Sequence, residues 1–201
     1  STFTGACAYS AFTDYMGNCG TGNSLGVGGN GVTASVGYGF DSGFSLAGGV
    51  SSTETQIMTK EGTDSYGIEA AYTADSYGVA VAYVSKDMAA AAETTYWGVN
   101  GYYTFDIASL SVGVETEETS GIDKSGYFVG LTFPEVGPGS VNVAAATTGL
   151  FTDAQTEYLI YEASYSYPVN DGMTITPGVF ITEVDGGDDL TGIGVVTSFS
   201  F

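Results

Sequence analysis

The side chains able to do chemistry in this 201-residue chain are carboxylates and two cysteines, because it contains no His and no Arg. Without His, zinc centres of the usual kind and His-based triads are excluded. Paired carboxylates can cleave glycosidic bonds. Nothing in the sequence sets two of them at a defined separation, so catalysis is not expected. The segment Asp185-Gly186-Gly187-Asp188-Asp189 offers oxygens of the kind that hold Ca²⁺ or Mg²⁺. It lacks the full EF-hand spacing, which leaves Asp185, Asp188 and Asp189 as a weak metal candidate, and no cofactor is expected. Cys7 and Cys19 lie in a Gly- and Asn-rich segment. In an oxidising compartment two such cysteines most simply form one disulfide that closes a loop.

Charge narrows the field further. The chain has 23 acidic residues against Lys60, Lys86 and Lys124, a formal net charge of -20. Three lysines make no basic footprint, so nucleic acid is not a partner. With 15 Tyr and 11 Phe the chain is not a disordered acidic tail either. Its Gly, Thr, Ser, Val and Tyr content speaks against a helix bundle and for strands. No run of 18 apolar residues exists, so no transmembrane helix is expected. The chain starts at Ser1 without a signal peptide, as a processed form or a piece of a longer protein would.

The elements that must position these residues are hairpins. Apolar-alternating runs occur at 31–40, 43–52, 64–74, 76–85, 94–105, 108–117, 125–134, 140–148, 156–168, 173–182 and 191–201. Most are about as long as a tilted strand crossing a bilayer. Tight turns at Asp41-Ser42, Asp75, Asp106-Ile107, Pro134 to Gly139 and Val169 to Gly172 alternate with longer, more acidic loops near 53–63, 86–93, 118–124, 149–155 and 183–190. Sorting turns into a short end and a long end is the habit of membrane barrels.

Side chains alternate across a strand. Tyr77, Val79, Val81 and Tyr83 oppose Gly78, Ala80, Ala82 and Val84; Tyr127, Val129, Leu131 and Phe133 oppose Gly126, Phe128, Gly130 and Thr132. One face is large and apolar, the other small. A soluble sandwich would put Lys, Glu, Arg and Gln on its wet face, and here that face is almost uncharged. The aromatics Tyr38, Phe40, Phe44, Tyr72, Tyr77, Tyr103, Phe105, Phe133, Tyr165, Tyr167, Phe199 and Phe201 collect toward the short-turn end, as a membrane-interface girdle does. The fold class expected is an all-β, antiparallel transmembrane β-barrel of about 11–12 strands in this stretch, part of a larger barrel. Residues 1–30 are expected to be an outer loop region with the Cys pair and room for one strand, and residues 31–201 the barrel hairpins ending in the C-terminal aromatic strand. Eleven strands is an odd count, so at least one more must come from residues 1–30 or from further chain.

In a barrel the small face is the inner one. The larger polar residues on it are Glu69, Asn100, Glu115 and Glu162, with Tyr96 and Tyr102 beside them. They are expected to line a wet lumen and bias it toward cations; the alternative is that the carboxylates bond to a plug, an inner loop or these tyrosines. The pore-mouth carboxylates are Glu54, Glu61, Asp64, Asp87, Glu93, Glu117, Glu118, Asp123, Asp153, Glu183, Asp185, Asp188 and Asp189, whose collective field attracts cations. Whether the Cys7–Cys19 loop folds into the pore or sits outside stays open. Phe199 and the terminal Phe201, on an alternating last strand, resemble the signal that barrels present to their insertion machinery.

The stretches Asn18-Cys19-Gly20 through Gly28-Gly29-Asn30-Gly31, and then Val32 through Ser45, join with the hairpin series and the terminal strand in one likeness. The chain resembles cyanobacterial outer-membrane porins of the Som or "iron uptake porin" type, relatives of the carbohydrate-selective OprB group. Members of that family begin with a signal peptide and a surface-layer-homology domain, so the resemblance implies that this is the C-terminal barrel part. It also implies a homotrimer in the outer membrane of a Gram-negative-type bacterium, in contact with lipid and lipopolysaccharide, that passes small solutes and cations. The competing expectation is a plugged or structural barrel whose loops act as receptor or adhesin.

Overall fold

Alternation of period two, sustained for nine or more residues and broken by Gly, Asp and Pro, dictates strands and tight turns. The computed structural model describes residues 33–52, 64–86 and 93–200. It contains β1 (Thr33–Gly39), β2 (Phe44–Ser52), β3 (Asp64–Thr73), β4 (Tyr77–Lys86), β5 (Thr94–Thr104), β6 (Ser109–Thr119), β7 (Ile122–Val136), β8 (Gly139–Thr147), β9 (Leu159–Asn170), β10 (Met173–Thr182) and β11 (Leu190–Phe199). These form a single 11-stranded sheet in sequence order, every neighbouring pair antiparallel. The sheet is not closed: β1 and β11 are its edges.

The two faces have opposite fates. On one, Ile68 is 60% exposed, Val81 46% and Val129 43%, although no charged neighbour on that face accounts for leaving hydrocarbon bare at mid-strand. On the other, Ala82, Glu69 and Phe128 are 2%, 4% and 1% exposed. Phe128 packs there with Ala146 and Ile160, and Ala80 with Ala82. An asymmetry of this sense is that of a barrel wall curled toward its small-residue face, the inverse of a soluble sandwich.

The short-turn end comes out as expected in β1–β2, β3–β4 and β5–β6. Two turns there are tighter than the sequence predicts. Only Asp171-Gly172 separates β9 from β10, and only Gly137-Pro138 separates β7 from β8. Strand β7 therefore runs 15 residues, with a register shift between Phe133 and Val136 where Pro134 lacks an amide donor.

The larger correction is at the other end. The acidic loop expected at 118–124 is a two-residue turn, Ser120-Gly121, with β6 and β7 paired right up to Thr119 and Ile122. Both turn residues have positive φ, 56° and 75°, the pattern of a type I′ hairpin whose twist matches that of the strands. Glu117, Glu118 and Asp123 are consequently strand residues, with fixed faces.

Outward of Thr147, β7 outruns β8, and the connection 148–158 pairs with it instead. Ser125 and Phe151 exchange amide hydrogen bonds of 2.8 and 2.9 Å. The close approach needs glycine: a Cβ on Gly126 would meet Thr147 Oγ1 at 2.6 Å and Leu150 Cδ2 at 2.9 Å.

Candidate functional site

Strand register decides which polar groups share the inner face. Glu69 on β3 is followed across the wall by Ala82, Gly98 and then Glu115 on β6. The two carboxylate positions are thus three strand spacings apart, roughly 14 Å, with only Ala and Gly between them. A second row runs Tyr102, Ser111, Gly130, Ala144, Glu162 and Phe180. Asn100 lies on the same face, opposite Ala80 and Gly113. Glu69, Asn100, Glu115, Glu162, Tyr96 and Tyr102 therefore all share one face, and Glu69, Glu115 and Glu162 are buried. The aromatics on this face lie along the wall. A Cβ on Gly78 would meet the Tyr102 ring at 2.5 Å, and Gly192 is covered in the same way by Phe180.

Nearer the outer end, the row Tyr96, Glu117, Lys124 crosses β5, β6 and β7. Lys124 donates to Glu117 Oε1 at 2.7 Å. Glu117 is one of the carboxylates expected at the mouth; the structure pairs it with the one ammonium whose side chain is described. Glu118 and Asp123 are direct partners on the outer face, two like charges side by side. Glu93 accepts from the Ser85 hydroxyl at 2.6 Å. Glu183 reaches back over β9, accepting from the Leu159 amide at 2.8 Å and from Tyr161 Oη at 3.2 Å.

Asp153, Asp185, Asp188 and Asp189 are exposed in the connections 148–158 and 183–189. Tyr158 donates to Asp185, and that hydrogen bond, with partial desolvation and the carboxylate's charge, raises the phenol above its ordinary value of 10.0. No cluster of three or more His, Cys, Asp or Glu among the described residues is arranged to hold a metal ion. Cys7, Cys19, Glu54, Glu61, Asp87 and Phe201 lie outside the described residues, and Asp64 is described only as the start of β3, opposite Ser52. Phe199 ends β11, exposed and paired with Met173.

On the outer face the short-end aromatics touch one another: Tyr38 with Phe40, Phe40 with Phe44, Tyr72 with Tyr77, Tyr103 with Phe105, and Tyr165 with Tyr167. The sequence reading missed a second belt at the loop end. Tyr66 meets Tyr83 at 6.1 Å, Tyr83 is the register partner of Trp97, and Tyr127 and Tyr161 continue the line on β7 and β9. The signal was present. On β3, β4, β5 and β7 an outward aromatic recurs six residues from another: Tyr66 and Tyr72, Tyr77 and Tyr83, Trp97 and Tyr103, Tyr127 and Phe133. Only aliphatic or small residues lie between them on that face. Paired aromatic belts around an apolar band are the outer surface of a membrane barrel.

No family model matches the chain, and no curated protein matches it. Solved structures do. A porin aligns with a TM-score of 0.65 and 17% identity, over 82% of this chain and 60% of its own length. OmpT, an outer membrane protein of Vibrio cholerae in trimer form, aligns with a TM-score of 0.62 and 14% identity, over 96% of this chain and 73% of its own. At these identities the likeness is one of fold: an antiparallel outer-membrane-type barrel wall, of which this chain spans 60% of the porin's length.

Proposed function

We propose that the chain forms the wall of an outer-membrane porin through which small solutes and inorganic ions diffuse, with a preference for cations. The observation that carries this is the inner face. Glu69, Glu115 and Glu162 stand on a face rich in Gly, Ala, Ser and Thr, together with Asn100, Tyr96 and Tyr102, behind an outer face of bare hydrocarbon bounded by two aromatic belts. Fixed carboxylates along a path raise the local cation concentration and repel anions. With Glu117 held by Lys124, the bias rests on these three and on the exposed aspartates of the outer connections. The same reading takes in a homotrimer surrounded by lipid and lipopolysaccharide, a Cys7–Cys19 disulfide, recognition of Phe199 and Phe201 by the insertion machinery, and a cyanobacterial outer membrane of the Som type. What supports it is the barrel fold shared with both structural neighbours and, for the homotrimer, the trimer form of the Vibrio cholerae protein.

A plugged or receptor barrel has one observation in its favour. The three inner carboxylates are 4–8% exposed, less than a wide open lumen would leave them. Single-channel recording in planar bilayers under a KCl gradient separates the two. Steady openings with a cation-selective reversal potential support the porin. Replacing Glu69, Glu115 and Glu162 by Gln together is expected to move the reversal potential toward zero. Unselective openings in the parent protein would remove the role given to the carboxylates, and silence from folded, inserted protein would leave the plugged barrel in possession.

A further inference from the structure

Just above the outer aromatic belt, the lipid-facing surface is indented by a cavity of about 280 Å³. Two register rows build it. Thr95, Glu118 and Asp123 lie side by side on β5, β6 and β7, and Trp97, Thr116 and Ser125 form the next row below. Asp153, from the connection 148–158, also lines it. The Ser125–Phe151 bridge brings that connection over β7, so the wall it supplies is tied to the sheet.

The lining is specific in three ways. Trp97 is 48% exposed, so much of its indole is open to an occupant. Glu118 and Asp123, directly opposite one another, form a like-charge pair that destabilises a hairpin left to itself. Lys124 also lines the cavity, yet its ammonium is held by Glu117, so it does not neutralise the pair. The deficit is not that of a metal centre, since the carboxylates of the described residues do not converge on one point. The space is also too large for a bare ion, holding the volume of roughly nine waters. An indole wall beside separated carboxylates is the arrangement that receives a diffuse organic cation, because the ring quadrupole attracts positive charge and the ring body covers its hydrocarbon.

We propose that this cavity binds an alkylammonium group, and that its source is the amine headgroup of a membrane lipid lying at the level of the outer belt. The site is separate from the conduction path, and only the lipid source rests on the membrane placement argued above.

Trp97 is the chain's one tryptophan, so tryptophan emission reads the surroundings of this single lining residue. The full chain, folded in detergent, is titrated with tetramethylammonium, with ethanolamine and with Mg²⁺. It is then titrated with phosphatidylethanolamine and phosphatidylglycerol added to the micelles. A saturable change in Trp97 emission with the ethanolamine lipid, and not with the glycerol lipid, is expected. Asp123→Asn and Asp153→Asn should each weaken it about tenfold. Asp153 lies outside the strand ladder, so its variant keeps the test open if Asp123→Asn fails to fold. A response to the soluble amines as well marks a site for free amines of the same chemistry; a response to the lipid alone marks the headgroup. Equal or stronger response to Mg²⁺, no saturable response to any amine, or responses unchanged in both variants would overturn the proposal. None of these outcomes bears on conductance, so this site and the channel stand or fall separately.

Discussion

Replacing Val81 by Lys tests whether the exposed face meets lipid or water. Val81 sits on β4 between Tyr77 and Tyr83, with the outward Ala70 and Val99 as its register partners. The two tyrosines are six residues apart, about 20 Å along a strand and about 15 Å in height at a tilt of about 40°. Val81 then lies within about 3 Å of mid-height. A lysine at the midplane of a barrel's lipid face costs about 2–4 kcal/mol, and a narrow band that lets the ammonium reach an interface points to the lower end, about 2 kcal/mol. Val184, comparably exposed but in the connection 183–189, is the matched control. Lysine there should change stability by under about 0.5 kcal/mol. The assay is reversible urea unfolding of protein inserted in phospholipid vesicles, read by Trp97 emission. In a water-facing sheet both half-exposed valines would tolerate lysine alike. A Val81→Lys cost below about 0.5 kcal/mol, or equal costs at the two sites, would refute the lipid-facing assignment.

Other outcomes follow from single contacts. Lys124→Met releases Glu117 on the inner face, so the reversal potential should move further toward the cation limit, while stability falls by only about 0–1 kcal/mol because the pair is partly exposed. Gly121→Val forces a β-branched residue to φ 75° and should cost about 1–2 kcal/mol in the same unfolding assay; Ser120→Asn at φ 56° should be neutral or stabilising. Tyr158 is held neutral by Asp185, so its folded pKa lies above its unfolded one. Its contribution to stability is complete below about pH 10 and is lost as the pH rises through the folded value. Ultraviolet titration of the phenolates, compared between the parent protein and Asp185→Asn, should show one tyrosine moving toward the ordinary range in the variant. Gly78→Ala should displace the Tyr102 ring and alter single-channel conductance without changing the sign of selectivity.

The faces of β4 and β7 were legible because alternation of period two has only one pair of solutions, and composition told which set meets lipid. The same arithmetic placed Glu69, Asn100, Glu115, Glu162, Tyr96 and Tyr102 on one face. It failed where that contrast fades. Along Glu115 to Asp123 the strands rise beyond the outer belt, both faces carry charges or hydroxyls, and no apolar alternation remains, although backbone pairing continues without a break. The local sign was Ser120-Gly121, a two-residue turn signal hidden among carboxylates. Mistaking that hairpin for a loop also hid the Glu117–Lys124 pair, since partners seven residues apart meet across a hairpin and not along a loop. The outer belt was missed for a different reason. Its aromatics are dispersed through mid-sequence positions, and become a ring only when register aligns Tyr83 with Trp97.

The β6–β7 hairpin gives the outer rim an anchor point of unusual stiffness. A two-residue connection has no slack to lose, and the ladder beneath it is paired through Thr119 and Ile122. The turn's two positive-φ residues thus fix the register of the strands beneath it, Glu115 among them, so the tip holds its place by backbone conformation.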